Sequence, residues 1–248
     1  MGSWLSYWNM PNKIYVSERH KRVHYDLVFA GVAPHLPNRR GIVLDWGCGD
    51  ALAADRIAER CNMVFLYDAA ESARARLRRY YDDRSRIRIL EKSGLDELAD
   101  GSVDLIIVNS VIQYLSDEQL NDALALFNRL VKSSGAFLLG DVVNPGTGNL
   151  RHLTTFLRFA WQYGFFLSAI GGLAQTFISP YRDLQREVGF ATFTPEQILV
   201  KLAGHGFAAE KLARNIGISK YRSSYLAGKI DNGGRSQARQ TGHERGAA

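Results

Sequence analysis

The sequence predicts an α/β fold, with helices covering both faces of a doubly wound parallel sheet. Three observations favour this class. Short apolar runs alternate with helical stretches between residues 42 and 141, the first run ends in a glycine-rich turn, and the second ends on Asp68. Strands that alternate with helices form parallel sheets, because each helix carries the chain back to the same edge. The chain has 248 residues, 46% of them hydrophobic, which is enough for one three-layer core.

The core elements follow one another in the expected order. Apolar runs predict strands near residues 42–46, 63–67, 86–90, 103–109 and 135–141. Helical stretches are predicted between them, near residues 51–60, 70–80 and 117–131.

The carboxyl-terminal part adds a helix and two strands. The helix is predicted to begin at Thr194, a suitable N-cap, because Pro195 fits its first position and Gln197 completes a capping box. Two further strands are predicted at residues 207–215 and 221–227.

The glycine-rich turn has a chemistry of its own. A dinucleotide-binding turn places a third small residue three positions after its second glycine, but here that position is Leu52. Two acids flank the glycines instead, Asp45 before Gly47 and Asp50 after Gly49. Carboxylates repel a pyrophosphate and attract a positive charge. The turn therefore favours a cationic ligand.

This turn resembles the first motif of the class I S-adenosylmethionine-dependent methyltransferases, written E/D-x-G-x-G. Residues 64–69 are similar to the family's second motif, residues 101–115 to its fourth-strand motif, and residues 134–141 to its glycine-led fifth strand. The four motifs together cover residues 41–141. The resemblance implies a seven-stranded, mostly parallel sheet in the order 3-2-1-4-5-7-6, with the seventh strand antiparallel.

The resemblance also implies that S-adenosylmethionine binds at the strand ends and leaves as S-adenosylhomocysteine. Asp68 would accept hydrogen bonds from both ribose hydroxyls. The residues expected to bind the cofactor are Tyr15, Asp45, Gly47, Cys48, Gly49, Asp68, Ala69, Gly94, Leu95, Asn109 and Ser110. Those expected to contact the acceptor are Gln113, Tyr114, Asp141, His152 and Tyr181.

Residues 41–143 and 191–228 are expected to form the core, preceded by an aromatic-rich segment at residues 1–40. This segment is interpreted either as a helical cover over the cofactor, with Tyr15 or His24 near the methionine end, or as an aromatic edge packed on the core. His20 and His24 share one face of a helix that starts near Ser17. No third ligand and no H-E-x-x-H glutamate accompany them, so no metal is expected.

Residues 144–190 are an insertion, predicted to form a helical lid over the acceptor pocket. The twenty residues from 159 to 178 carry no formal charge, which approaches the length of a membrane span. Polar residues interrupt them, and Gly164, Gly171 and Gly172 are expected to break the helix. A transmembrane helix is therefore not expected, whereas peripheral membrane contact through residues 156–178 stays open.

The net charge of +6 raises the question of a nucleic-acid ligand. Much of the excess lies between Arg74 and Arg88, where it is interpreted as a solvated helix face without interleaved aromatics, so nucleic acid is not expected. Two cysteines without a C-x-x-C spacing indicate neither a metal site nor a disulfide, and suggest a reducing compartment; a cytoplasmic protein is expected. Residues 229–248 have the composition of a disordered tail.

These observations predict methyl transfer by in-line displacement to an oxygen or nitrogen atom of a small, partly apolar acceptor. A hydroxyl acceptor would need a base, for which the candidates are His24, His20, Tyr114, Asp141 and His152. Asn109 is followed by Ser110 and Val111, not by the Pro-Pro-Tyr of nucleobase-methylating enzymes. Two alternatives stay open: a nicotinamide-dependent oxidoreductase and a non-catalytic partner protein that binds S-adenosylmethionine. The acceptor and the oligomeric state do not follow from the sequence.

Overall fold

The computed structural model describes residues 4–10, 15–146, 149–176 and 189–230, and seven strands among them form one sheet. The strands are β1 (Ile42–Trp46), β2 (Met63–Tyr67), β3 (Ile87–Ile89), β4 (Val103–Asn109), β5 (Val131–Val143), β6 (Phe207–Lys211) and β7 (Arg222–Lys229). Their order is β3-β2-β1-β4-β5-β7-β6. Strands β1 to β5 pair in parallel, and β7 runs antiparallel to both β5 and β6. The expected fold class and strand order are confirmed.

Helices lie on both faces of the sheet, and others belong to the amino-terminal segment and the insertion of the chain. They are α1 (Trp4–Asn9), α2 (Glu18–Val32), α3 (Ala54–Ala58), α4 (Glu71–Tyr81), α5 (Lys92–Asp96), α6 (Asp117–Leu130), α7 (Asn149–Gln162), α8 (Phe166–Thr176) and α9 (Pro195–Gly204). The capping box predicted for α9 is present: the Thr194 hydroxyl accepts from the Gln197 N–H, and the Gln197 side chain accepts from the Thr194 N–H. The Ser17 hydroxyl caps α2 by accepting from the N–H of His20.

The core lies on both faces of the sheet, because alternate residues of a strand point to opposite sides. On β4, Ile106 packs with Phe127 of α6, whereas Ile107 packs on the other face with Leu66 and Leu138. All five of these side chains are buried. A central parallel strand buried on both faces explains the continuous apolar run in the sequence.

Several predicted boundaries need correction. Strand β5 begins at Val131 and not at 135, and β6 ends at Lys211 and not at 215, because the chain turns there and the Asn215 side chain hydrogen-bonds to Asp141. Strand β7 extends to Lys229, which pairs with Phe207 and so does not belong to a disordered tail. The predicted helix at 51–60 is limited to α3, since Ala51 has a φ of +45°. Helix α5 was not predicted. The tail from 231 onward lies outside the described residues.

The described part of the insertion contains two helices, α7 and α8, joined at a turn where Gly164 has a φ of +71°. The expected break at Gly164 is confirmed. The break expected at Gly171 and Gly172 is wrong, because α8 continues through both, and its Ala169 packs against Phe159 of α7 and stabilises the helix. In the described ranges, no helix is long and apolar enough to cross a membrane.

Candidate functional site

A cavity of about 1070 Å³ opens at the carboxyl ends of the central strands. It lies where the strand order reverses between β1 and β4, the usual place for a ligand in an open α/β sheet. Ligand pockets commonly measure about 300–1,000 Å³, so this one lies at the upper end of that range. The wall brings together most residues singled out in the sequence: Tyr15, His20, His24, Asp45, Gly47, Cys48, Gly49, Asp68, Ala69, Asn109, Ser110, Gln113, Tyr114 and Asp141.

Four of the predicted site residues are not placed in this wall. Leu95 is buried in the hydrophobic core around α6, and Gly94 lies beside it on α5, where an added Cβ would contact Leu90 at 3.6 Å. The structure thus does not bring Gly94 and Leu95 to the cavity. His152 lies on α7, and its side chain is outside the described part, as is the whole of Tyr181.

The glycine turn is shaped by the protein itself. Gly47 and Gly49 have φ angles of +75° and +61°, which favour glycine. A Cβ on Gly47 would lie 2.5 Å from Cγ2 of Val111, and one on Gly49 would lie 3.2 Å from the hydroxyl of Tyr25. At Gly47 the neighbouring Val111 side chain already excludes a larger residue, and at Gly49 the Tyr25 hydroxyl leaves little room for one.

The Asp68 carboxylate is held in place by the backbone. Its Oδ2 accepts from the N–H of Gly49 and its Oδ1 from the N–H of Ala70, both at 2.9 Å. Burial raises the pKa of Asp68, although these two hydrogen bonds and the nearby arginines oppose the rise. Each oxygen retains a second lone pair, so the carboxylate can also accept hydrogen bonds from a ligand.

The two acids that flank the glycines differ in charge balance. Burial and the adjacent Asp68 raise the pKa of Asp45 to about 7, and Asp45 forms no ion pair with any described residue. Asp50, in contrast, is bound by Lys21 of α2 at 2.5 Å and by Arg76 of α4 at 2.8 Å. These cations hold the pKa of Asp50 below its usual value in spite of burial. Of the two acids, Asp50 is already neutralised by cations of the protein, whereas Asp45 is not.

The arginines of α4 are not all on a solvated face, which corrects the sequence-based interpretation. The Arg74 side chain is only 12% exposed, and its guanidinium donates to the carbonyl oxygens of Asp68 at 2.6 Å and Ala69 at 3.1 Å. It also pairs with Glu71 and Glu91. Arg74 thus supports the end of β2.

Helix α2 is attached to the glycine turn through Tyr25. The Tyr25 hydroxyl accepts from the N–H of Asp50 at 2.9 Å and donates to the carbonyl of Cys48 at 3.4 Å. The ring of Tyr15 lies 6.2 Å from that of Tyr25. Sequence reasoning did not assign Tyr25 to the site. Tyr25 follows Lys21 by one helical turn, so both side chains lie on the same face of α2 and both reach Asp50.

The two histidines of α2 have different surroundings. His20 is buried, stacks on Phe165 at 4.9 Å and accepts the N–H of Val16 at its Nδ1. Burial and the nearby His24 lower the pKa of His20 to about 4. The pKa of His24 is lowered by burial and by Arg222, against the opposing effect of Asp141. Because both pKa values are lowered, both rings are neutral at pH 7. His24 borders the cavity and lies near Asp141 and Arg222.

Asp141 is the centre of a buried hydrogen-bond network. Its carboxylate accepts from the Ser110 hydroxyl at 2.7 Å and the Asn215 amide at 2.8 Å, and it pairs with Arg222 at 2.5 Å. Although burial by itself would raise it, the Arg222 charge and these hydrogen bonds hold the pKa of Asp141 below its usual value. Ser110 and Asp141 have φ angles of +59° and +61°, a strained backbone at the ends of β4 and β5.

Aromatic rings form part of the cavity wall. Trp4 and Trp8 of the amino-terminal segment pack on Tyr114 with ring centroids 4.8 and 5.2 Å apart, and Trp4 stacks on Phe190 at 5.2 Å. Gln113, buried below them, donates from Nε2 to the Ser110 carbonyl, whereas its Oε1 has no hydrogen-bond partner in the described ranges. This wall suits a flat or apolar ligand.

Metal and disulfide chemistry find no support in the described part of the chain. It contains no group of three His, Cys, Asp or Glu side chains placed to hold a metal ion. Cys48 and Cys61 are both buried as free thiols.

A profile described as a methyltransferase domain matches residues 44–139. Among curated proteins, the chain is 28% identical over 137 residues to an uncharacterized methyltransferase of Mycobacterium tuberculosis, a match that covers 54% of this chain and 66% of that protein. The chain thus spans just under two thirds of this relative's length.

Two solved structures have a similar fold. One is a chain of a complex between a Haloferax volcanii methyltransferase activator and a methyltransferase, with a TM-score of 0.61 at 12% identity, covering 92% of this chain and 99% of that one. The other is the N-methyltransferase NodS of Bradyrhizobium japonicum in complex with S-adenosylhomocysteine, with a TM-score of 0.55 at 15% identity, covering 90% and 94%. The comparisons favour neither a nicotinamide-dependent oxidoreductase nor a non-catalytic binding protein.

Proposed function

Because the chain belongs to the class I S-adenosylmethionine-dependent methyltransferase family, we propose that it transfers a methyl group from S-adenosylmethionine to an oxygen or nitrogen atom of a small, partly apolar acceptor. The observation that carries this proposal is the large cavity at the carboxyl ends of the strands. Its wall combines the acids Asp45 and Asp68 with neutral His24 and an aromatic surface.

The residues at the glycine turn fit the cofactor. Asp68 has a fixed, buried carboxylate with free lone pairs, which suits the two ribose hydroxyls. Asp45, raised in pKa by its surroundings and without an ion-pair partner among the described residues, suits the positively charged methionine end. Asn109 has a buried Oδ1 that lacks a hydrogen-bond partner in the described ranges, and this atom is a further acceptor beside the turn.

The aromatic wall supports an apolar acceptor. Trp4, Trp8, Tyr114 and Phe190 present ring surface to the cavity, and flat apolar molecules bind such surfaces through burial and ring contacts. The unpartnered Oε1 of Gln113 offers one buried acceptor atom that could fix a hydroxyl or amine donor of the ligand.

When bound, S-adenosylmethionine supplies a methyl group activated by a positively charged sulfur. The protein has to align the acceptor with that group, exclude water and remove a proton where the acceptor is a hydroxyl. The aromatic wall and α2 exclude water. The neutral imidazole of His24 accepts the proton, and we prefer it to Asp141, whose lone pairs are engaged by Ser110, Asn215 and Arg222.

Two measurements test the proposal. Calorimetric titration of the protein with S-adenosylhomocysteine, compared with NADH, should show binding of the first alone. Incubation with isotope-labelled S-adenosylmethionine and a panel of phenols, amines and carboxylic acids should transfer the label to an apolar member. Binding of NADH in place of S-adenosylhomocysteine would contradict the proposal.

A further inference from the structure

Helices α7 and α8 form a helical hairpin, here called the lid hairpin (residues 149–176), whose outer surface is unusually apolar. Trp161 is 74% exposed, Leu167 84% and Ile170 49%. Leu167 and Ile170 are three residues apart on α8 and therefore share a face. The ring of Trp161 meets that of Phe166 edge-on at 5.5 Å, which places the end of α7 beside the start of α8. The three exposed side chains belong to one patch.

Packing of the lid hairpin on the protein does not explain this patch. Its inner face already buries Phe159, Phe165 and Ala169, which pack with Val23 and Leu27 of α2, and Phe165 stacks on His20. The hairpin thus has two apolar faces. One packs on the rest of the protein, and the second is turned outward. Contiguous exposed apolar side chains on a protein surface mark an interaction site.

Positive charge surrounds the patch. Residues 149–176 contain no Asp or Glu. Arg158 is exposed and precedes Trp161 by one helical turn. Arg19 of α2, also exposed, donates to the carbonyl of Tyr163 at 2.5 Å, and its guanidinium carbon lies 3.3 Å from the Cβ position of Gly164. The end of α7 and the turn that follows it therefore each carry a cation beside the patch.

We propose that the outer face of the lid hairpin docks on an anionic phospholipid bilayer, with Trp161, Leu167 and Ile170 entering the headgroup region and the two arginines facing lipid phosphates. Exposed tryptophan and aliphatic side chains flanked by arginine match this surface in both polarity and charge. Neither helix of the hairpin qualifies as a span, so the hairpin lies on the bilayer.

The experiment is flotation of the full chain with vesicles of phosphatidylcholine alone or mixed with phosphatidylglycerol. We expect binding that requires phosphatidylglycerol and weakens with added salt. Trp161→Gln and Leu167→Gln should each weaken binding about tenfold, since each removes one buried apolar side chain from the bilayer contact. The matched control is Val200→Gln on α9, where Val200 is 73% exposed and lies outside the lid hairpin. It should bind like the wild type.

A charge reversal separates the electrostatic part. Arg158→Glu should abolish the phosphatidylglycerol dependence, whereas Arg214→Glu, an exposed arginine after β6, should change binding little. Because all substituted side chains are exposed, circular dichroism should show unchanged folding. Flotation that is absent, or that is unaffected by Trp161→Gln and Leu167→Gln, would overturn the proposal. So would a dimer in analytical ultracentrifugation that Leu167→Gln dissociates, which would assign this face to a second copy of the chain.

Discussion

The hydroxyl of Tyr25 accepts the backbone N–H of Asp50 at 2.9 Å and thereby joins the amino-terminal helix to the glycine turn. Lys21, one helical turn earlier, pairs with the Asp50 side chain, and Arg76 of α4 pairs with it from the other side. Three segments that are distant in the sequence thus meet at one residue of the turn. The shape of the proposed cofactor end depends on this junction.

Tyr25→Phe should lower the affinity for S-adenosylhomocysteine severalfold. The substitution leaves the Asp50 N–H without its acceptor, and an unsatisfied buried donor costs about 1–3 kcal/mol. Calorimetry measures the affinity, and Tyr80→Phe, at an exposed tyrosine of α4, is the control. Equal affinity of the two variants would show that the junction does not support the cofactor end.

Asp68→Ala should weaken binding of S-adenosylhomocysteine at least tenfold, because hydrogen bonds to a charged group contribute about 1.5–3 kcal/mol each. The variant should also unfold at a lower temperature, since Gly49 and Ala70 lose the acceptor of their N–H groups. Asp122→Ala, at an exposed position of α6, is the control for calorimetry and melting. Undiminished binding would remove Asp68 from the site.

Gly47→Ala should destabilise the protein more than Gly101→Ala. Both glycines have positive φ, so each substitution incurs a backbone penalty of about 1–2 kcal/mol. Only at Gly47 does the added Cβ meet a neighbour, Val111 at 2.5 Å, whereas Gly101 has open space within 4 Å. The difference between the two free energies of unfolding, from denaturant titration, reports this contact, and adding Val111→Ala should reduce that difference.

Gly49→Val should impair cofactor binding.

Acid should destabilise the protein through His20. Its pKa is about 4 when folded and about 6.5 when unfolded, so the unfolded state binds the extra proton between these values. The contribution of neutral His20 to the free energy of unfolding should be complete above pH 6.5. It should fall by about 3 kcal/mol as the pH drops towards 4. His20→Phe, which retains a ring against Phe165, should remove this part of the pH dependence. An unchanged pH profile of unfolding would contradict the assignment.

His24→Gln should lower kcat about 10²–10⁴-fold with a hydroxyl acceptor while S-adenosylhomocysteine still binds, as expected for loss of a general base. Because the pKa of His24 lies below 6.5, wild-type kcat/KM should rise with pH and level off before neutrality. His35→Gln, outside the cavity, should leave the rate unchanged. A carboxylate acceptor that reacts equally well with both variants would show that no base is needed.

Local pattern sufficed for most of the fold. Strands β1, β2 and β4 have the predicted bounds, because each is a mostly apolar run. The errors lie where tertiary contacts decide. Asn215 leaves the predicted strand to bind Asp141, and α8 retains two glycines because Ala169 packs against the other helix of the hairpin.

The candidate site divides in the same way. The turn around Gly47 and Gly49 and the acid at Asp68 are contiguous motifs, and they could be predicted. Arg222, by contrast, has no local signal: it reaches Asp141 from the first residue of β7. Tyr25 and Phe190 enter the cavity wall only through the packing of segments outside the core, which no periodicity reveals.

The position of β7 links completion of the site to closure of the sheet. Arg222 lies 81 residues after Asp141, and its strand inserts between β5 and β6. Without β7 in place, β5 presents an unpaired edge and Asp141 lacks the Arg222 charge. The ion pair that borders the proposed active site can therefore form only when two distant parts of the chain have joined the same sheet.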